Sequence, residues 1–373
     1  MTGPITIGEI KSLAIDRLEA ILDVLCPGGR SAGGNYTPRN PTRDDRNPGS
    51  FVIRLSGARR GSFVEYLNPA EEKGDIIDLV SYCLCRGAPD FKSNDRRGEA
   101  IRWLSTFLGV NELTGPARAM AYDSARRRQK AAAKEDTELE QKRQRAVKMW
   151  TAGRPIEGSA VERYLARRGL PLAAIKHRED DLRYLPAQEY WLERERAPDG
   201  RTTKPGRHLP AMAAAMRDGH DVIRAVHFTF LTEDGEKADV PKPKLIWPNF
   251  KGAVIRLSKG AAGRSVIQAT EAGEPETVVV TEGIEDALTV ALVSVLRCWA
   301  AGSIANIGNA PVLPFIEAWV IHRQNDVSPA AIEAFDRAKR ALENTGRLVG
   351  ELRAHGGKDI NDQLRGRPAT TLK

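Results

Sequence analysis

The sequence predicts an α/β chain, α+β overall, made of a small mixed N-terminal module, a mixed α/β middle domain and a C-terminal domain built on a parallel sheet. Three observations lead there. In the C-terminal part, β-branched runs pass directly into helical spacing, as Val278-Val279-Val280 does before Ala287, Leu288, Ala291 and Leu292. The N-terminal part instead sets short extended runs among Gly, Pro, Asn and Arg. A charge-dense stretch without strand formers separates the N-terminal part from the rest of the chain. With 373 residues, 41% hydrophobic and 28% charged, the chain can bury a core, and its length favours two or three domains.

The N-terminal module is expected over residues 1–112. Apolar positions at helical spacing over 9–25 predict a helix, stopped by Cys26-Pro27-Gly28-Gly29. Runs 50–55 and 61–66 predict a small antiparallel sheet. Gly74-Asp75 opens a helix with Ile76, Ile77, Leu79, Val80 and Leu84 inward, and 100–108 forms another. Residues 113–148 read as a charged helical linker. Its Arg126-Arg127-Arg128, Lys130 and Lys134 stand against Glu135, Asp136, Glu138 and Glu140, which suits either a solvated helix or a DNA contact.

The middle domain is expected over 149–272, entered through a helix at 146–150. It has a helix at 159–168, strands at 209–216, 222–231 and 253–257, and a hairpin turn at Glu233-Asp234-Gly235. The last domain, 273–373, alternates strands at 277–281, 299–301, 318–321 and 347–352 with helices at 285–296, 329–343 and 361–365, the order of a parallel sheet.

Lysine and arginine total 57 against 49 aspartates and glutamates, a net charge of +8. That favours an anionic partner, nucleic acid first, a merely basic soluble protein being the alternative. The four cysteines form no CxxC pair and the six histidines show no ligand spacing, so neither a disulfide framework nor a zinc ribbon is indicated and a reduced cytoplasm is the simplest setting. No run approaches the roughly 18 apolar residues of a membrane span, and the N-terminus lacks the order of a signal peptide, so no membrane partner is expected.

Glu282 and Gly283 fall at the turn from strand to helix, where open α/β sheets bind ligands; the glutamate faces the site and the glycine lets backbone approach a phosphate. Lys242, Lys244, Lys251 and Arg256 lie among Trp247 and Phe250. Such cations interleaved with aromatics suit a single strand, or else an ordinary basic surface over core rings.

Thr281-Glu282-Gly283 with Asp286, the strand Ala318-Trp319-Val320-Ile321 leading into Gln324-Asn325-Asp326, and Gly357-Lys358-Asp359-Ile360-Asn361-Asp362 together resemble the Rossmann-like Toprim domain of bacterial, phage and plasmid primases. The resemblance implies that Glu282 acts as general acid/base or metal ligand. It implies that Asp326 is the second aspartate of a metal-holding pair whose first place Gln324 takes, with an amide where an anionic oxygen would serve magnesium better. Asp359 adds a carboxylate, so the implied catalytic set is Glu282, Asp326 and Asp359, and these with Gln324 would hold Mg2+ or Mn2+. Capping of the last helix by Asp359 and Asp362 is the alternative. Phosphates would lie on Gly283, Lys358, Lys242, Lys244 and Arg256.

More distantly, the run from Asn40 to Phe51 and Gly74-Asp75-Ile76-Ile77-Asp78-Leu79 resemble the CHC2-like zinc-binding module that precedes Toprim in such primases. Asn40 and Arg43 stand where its cysteine and histidine would be, so the module reads as a degenerate version and zinc is not expected. Arg39, Arg43, Arg46, Arg54, Arg59 and Arg60, interleaved with Tyr36, Phe51, Phe63 and Tyr66, suit the phosphates and bases of a template, or form a solvated basic loop.

The expected function is that of a DNA primase in mobile-element, phage or plasmid replication. It would make primers on single-stranded DNA from nucleoside triphosphates by metal-dependent nucleotidyl transfer. The sequence holds no Gly-x-x-x-x-Gly-Lys-Ser/Thr, so a separate helicase would supply any unwinding. Two other functions stay open: a replication accessory that has lost catalysis at Gln324 and binds single-stranded DNA or a helicase, and a Toprim nuclease.

Overall fold

The computed structural model describes residues 5–32, 34–43, 49–111, 115–325 and 328–367. The chain divides into two compact units, Met1–Glu140 and Gln141–Lys373.

In the first unit the apolar run over 9–25 forms two helices, α1 (Ile7–Asp16) and α2 (Leu18–Leu25), broken where Arg17 leaves helical geometry. Thr6 and Glu9 close a reciprocal cap on α1. Strands β1 (Arg30–Ala32), β2 (Asn35–Thr37), β3 (Phe51–Arg54), β4 (Phe63–Glu65) and β5 (Lys73–Gly74) follow in spatial order as an antiparallel sheet. Of these the sequence predicts β3 and β4; β1, β2 and β5 are too short to show a pattern. The sheet packs on α3 (Ile76–Leu84), capped by Asp75, and on α4 (Asn94–Phe107), which starts earlier than its apolar spacing shows because Ser93 caps it. Phe51, Phe63, Tyr82 and Phe91 form an aromatic centre.

The charged stretch is a single helix, α5 (Gly115–Thr151), which absorbs the separate helix expected at 146–150. It is not solvated throughout. Ala125 is fully buried in the first unit's core and Arg128 grips Asp16 with two bonds of 2.6 Å, while Ala146 is fully buried in the second unit's core.

The second unit continues with α6 (Ala160–Arg167), β6 (Leu182–Glu189), the small hairpin β7 (Glu195–Arg196) and β8 (Thr202–Lys204), β9 (His208–Arg217), β10 (Ile223–Phe230), β11 (Lys244–Trp247) and β12 (Ile255–Arg256). Strands β11, β10, β9 and β6, in that spatial order, form an antiparallel sheet. Then come α7 (Val266–Ala272), β13 (Glu276–Thr281), α8 (Ile284–Val293), β14 (Arg297–Ala300), α9 (Ile304–Ile307), β15 (Ile316–Arg323), α10 (Pro329–Glu343), β16 (Leu348–Arg353) and α11 (Ile360–Leu364). The last sheet runs β12, β14, β13, β15, β16, parallel except for β12. One apolar cluster joins Val161 and Leu165 of α6, Met212 and Met216 of β9, Ile255 of β12 and Leu288 of α8, so the two larger sheets of this unit share a core. Among the described residues no helix is long and apolar enough to cross a membrane.

Candidate active site

Glu282 follows β13, Gln324 follows β15, and Lys358 and Asp359 follow β16, so the three motifs end three neighbouring parallel strands on one side of the sheet. That is the edge at which open α/β sheets bind ligands. Glu282 and Gln324, both half-buried, line one small cleft together with His322 and the apolar Ile304, Ile332 and Phe335. Asn325 secures the neighbouring loop: its backbone N–H donates to the Lys358 carbonyl at 2.9 Å, and its amide to the carbonyls of Ala354 and Gly357, both at 3.1 Å.

Behind this edge the first turn of α8 carries two buried acids. Glu285 accepts from the Tyr164 hydroxyl and from Lys244 Nζ at 3.0 Å. Burial would raise its pKa, but the charge of Lys244 and the Tyr164 bond outweigh that and hold it well below the usual carboxylate range. Asp286, 3% exposed, accepts from the Asn361 N–H at 3.3 Å, and its Oδ2 lies 3.5 Å from His322 Nδ1. Burial, reinforced by the charges of Asp359 and Glu285, pushes its carboxyl up to about 8. Burial also draws His322 down to about 4, and neither ring nitrogen has a hydrogen-bond partner among the described residues.

The residues singled out from sequence fall in several places. Lys244 is engaged with Glu285, while Lys242 and Lys358 are exposed. Gly283 has an extended φ of −100°, and a Cβ there would meet the Glu285 and Asp286 carboxylates at 3.4 and 3.6 Å, so backbone geometry does not demand glycine. Asp359 caps α11, accepting from the Asp362 N–H at 2.8 Å. Asp326 lies outside the described residues. Arg256 is not a surface cation: it is 3% exposed, paired with Asp221, donates to the Asp218 carbonyl at 2.7 Å and lines a different cleft from Glu282. Among the described residues no group of three or more His, Cys, Asp or Glu side chains is arranged to hold a metal.

The arginines of the first unit also divide. Arg39 and Arg59 are exposed, and Arg46 lies outside the described residues. Arg43 bonds to Ser50 and Glu65, both at 3.0 Å, Arg54 to Asn35 at 2.6 Å, and Arg60 to the Ile15 carbonyl at 3.1 Å and Glu19 at 2.5 Å. Phe51 is fully buried against Phe63 and Tyr82, so its ring is closed to a base. Asn40, standing where a metal ligand would be, donates instead to Glu65 at 2.7 Å and to Tyr82 at 3.1 Å.

Residues 140–257 match a family described as a domain of unknown function (DUF7146). Among curated proteins there is no match. Solved structures similar to the chain include the primase of Aquifex aeolicus, zinc-binding and RNA polymerase domains, at 15% identity over 96% of this chain and 82% of that one, with a TM-score of 0.39. A DNA primase domain from Pseudomonas aeruginosa is 16% identical over 61% of this chain and 75% of that one, TM-score 0.41. The DnaG primase catalytic domain bound to ssDNA is 15% identical over 63% and 79%, TM-score 0.41.

Sequence reasoning passed over Glu285, Tyr164 and His322. The signal for two of them was present: an acid inside the apolar run of α8, and a histidine at the end of an apolar strand. Tyr164 had none, because its partner is 121 residues away.

Proposed function

We propose that the chain is a nucleotidyltransferase of the primase type that acts on single-stranded DNA with nucleoside triphosphates. The observation that carries this reading is the convergence of Glu282, Gln324 and the Lys358-Asp359 pair at the ends of three adjacent parallel strands, β13, β15 and β16. The donors there, a carboxylate and an amide oxygen with Asp326 two residues after Gln324, are hard oxygens of the kind that suit Mg2+ or Mn2+. Glu282, Gln324 and Asp326 would hold the ion, Asp359 being committed to its helix cap. The ion would supply stabilisation of negative charge on a triphosphate. Lys358 and Lys242, both exposed, would meet phosphates. Lys244 keeps Glu285 ionised and fixes the start of α8 behind Glu282. The exposed Arg39 and Arg59 of the first unit would meet template phosphates.

One observation favours a second reading, a replication accessory without catalysis that binds single-stranded DNA or a separate helicase: the first place of the carboxylate pair holds the neutral Gln324. Labelled ribonucleotide incorporation on single-stranded templates of varied sequence, with Mg2+ or Mn2+, separates the two. The enzyme reading expects incorporation that Glu282→Ala abolishes and Gln324→Asp raises. Incorporation absent from the parent and from Gln324→Asp on every template leaves the accessory.

A further inference from the structure

A second cleft of the same unit, about 270 Å3, lies where β9 turns into β10, away from the strand ends that carry Glu282. Its floor is a set of buried charges. Asp181, 4% exposed, accepts from Arg217 Nε at 2.8 Å. Arg256 lines the cleft, and its Nε has no hydrogen-bond partner among the described residues. Over the Trp150 ring lie the guanidinium groups of Arg183 and Arg217, at 4.6 and 5.6 Å, a wall of planar groups. Glu179, half-buried at the same cleft, has a side chain with no hydrogen bond or ion pair to any described residue. Its neighbours Asp180 and Asp181 are both paired, with Arg183 and Arg217.

The cleft therefore offers a two-oxygen acceptor beside arginine N–H donors and a planar wall. Pockets for drug-sized ligands begin near about 300 Å3, so this one suits a single base. Of the four bases only guanine presents two adjacent donors, N1–H and N2–H, to match two carboxylate oxygens, with the acceptor O6 beside them for an arginine. In a duplex that edge is occupied by pairing, whereas in a single strand it is open, and splayed bases stack on aromatic or guanidinium planes. We propose that this cleft takes a guanine base from a single strand, Glu179 reading N1–H and N2–H, Arg217 or Arg256 facing O6, and the Trp150–Arg183 wall stacking on the ring. This rests on the single-strand reading above and adds to it a base preference.

The test uses the full chain. Fluorescence anisotropy compares a short oligothymidylate with the same oligomer carrying one central guanine, for the parent and Glu179→Gln. Calorimetry compares free GMP with AMP, CMP and UMP. The guanine is expected to tighten binding about tenfold, the scale of one bidentate base contact. Glu179→Gln, with an unchanged melting temperature, should remove that gain and leave oligothymidylate affinity as it was, and GMP should bind in preference to the other three. No gain from guanine, a gain that survives Glu179→Gln, or equal affinity for all four nucleotides overturns the assignment while the single-strand reading stands. If no oligomer binds, the single-strand reading fails, and the nucleotide arm alone decides whether the cleft reads guanine.

Discussion

Replacing Lys244 by Met should destabilise the second unit by about 2–3 kcal/mol at neutral pH. The Glu285 side chain is only 9% exposed and its ionised form rests on Lys244 Nζ at 3.0 Å and the Tyr164 hydroxyl. Removing one partner of a buried pair costs about 3–5 kcal/mol, because the remaining charge stays desolvated. The lower figure applies here, since Lys244 is itself 35% exposed and the Tyr164 bond remains. The pH dependence has a definite sign. Lys244 holds the folded carboxyl below its unfolded value, so the contribution is complete above about pH 4.3, the unfolded value. It is lost as pH falls through the folded value. Urea unfolding followed by tryptophan fluorescence reads this unit well, because Trp150, Trp191, Trp247, Trp299 and Trp319 all belong to it. Lys244→Met with Glu285→Gln should recover most of the loss, the charge that needed the lysine being gone. A Lys244→Met variant within about 0.5 kcal/mol of the parent at pH 7, the range of an ordinary surface change, would show that the pair is solvated and the reasoning wrong.

Asp286→Asn should have the opposite pH signature: burial raises this carboxyl to about 8 when folded, so the parent loses stability as pH rises from about 4 towards that value, and the variant should be the more stable of the two at pH 8. Melting curves across that range that run parallel for both proteins would refute it. Arg39→Ala with Arg59→Ala, both exposed, should flatten log affinity for single-stranded DNA against log salt by roughly 0.7 for each phosphate left without its arginine, whereas Phe51→Ala should instead cost about 3–5 kcal/mol of the first unit's stability. Because Asn40 and Arg43 are hydrogen-bonded to the buried Glu65, the first unit should fold without metal. Protein purified without added metal should keep its circular dichroism on chelation, and Glu65→Ala should lower its melting temperature; stoichiometric zinc lost together with the fold would show otherwise.

Where a segment buries its own periodic face, the sequence announces it. The β-branched run before Glu282 became β13, and the pattern at 329–343 became α10 with the same ends, since Ser328 caps it and Pro329 suits its first turn. What stayed hidden depends on distant partners. Two-residue strands such as β5 and β7 carry no periodicity and exist only because a neighbouring strand bonds to them. Arg256 and Phe51 read as surface contacts from composition, because a basic or aromatic residue looks the same whether solvent or Asp221 and Tyr82 receive it. The placement of Glu282, Gln324 and Asp359 after neighbouring parallel strands was legible in the order of their motifs. The acids and bases behind them were less so, because the pairing of Glu285 with Lys244 is a fact of tertiary packing.

The short strand β12 governs how this protein can be cut. It bonds antiparallel to β14, pairing Ile255 with Ala300 and Arg256 with Trp299. A fragment that began after it would carry the glutamate turn and the parallel strands but leave β14 as a naked sheet edge, with a row of unpaired peptide groups beside Trp299. Such an edge recruits any extended chain, its own copies first. Recombinant work on the second unit therefore calls for a start at or before residue 141, which retains the strand that seals the sheet.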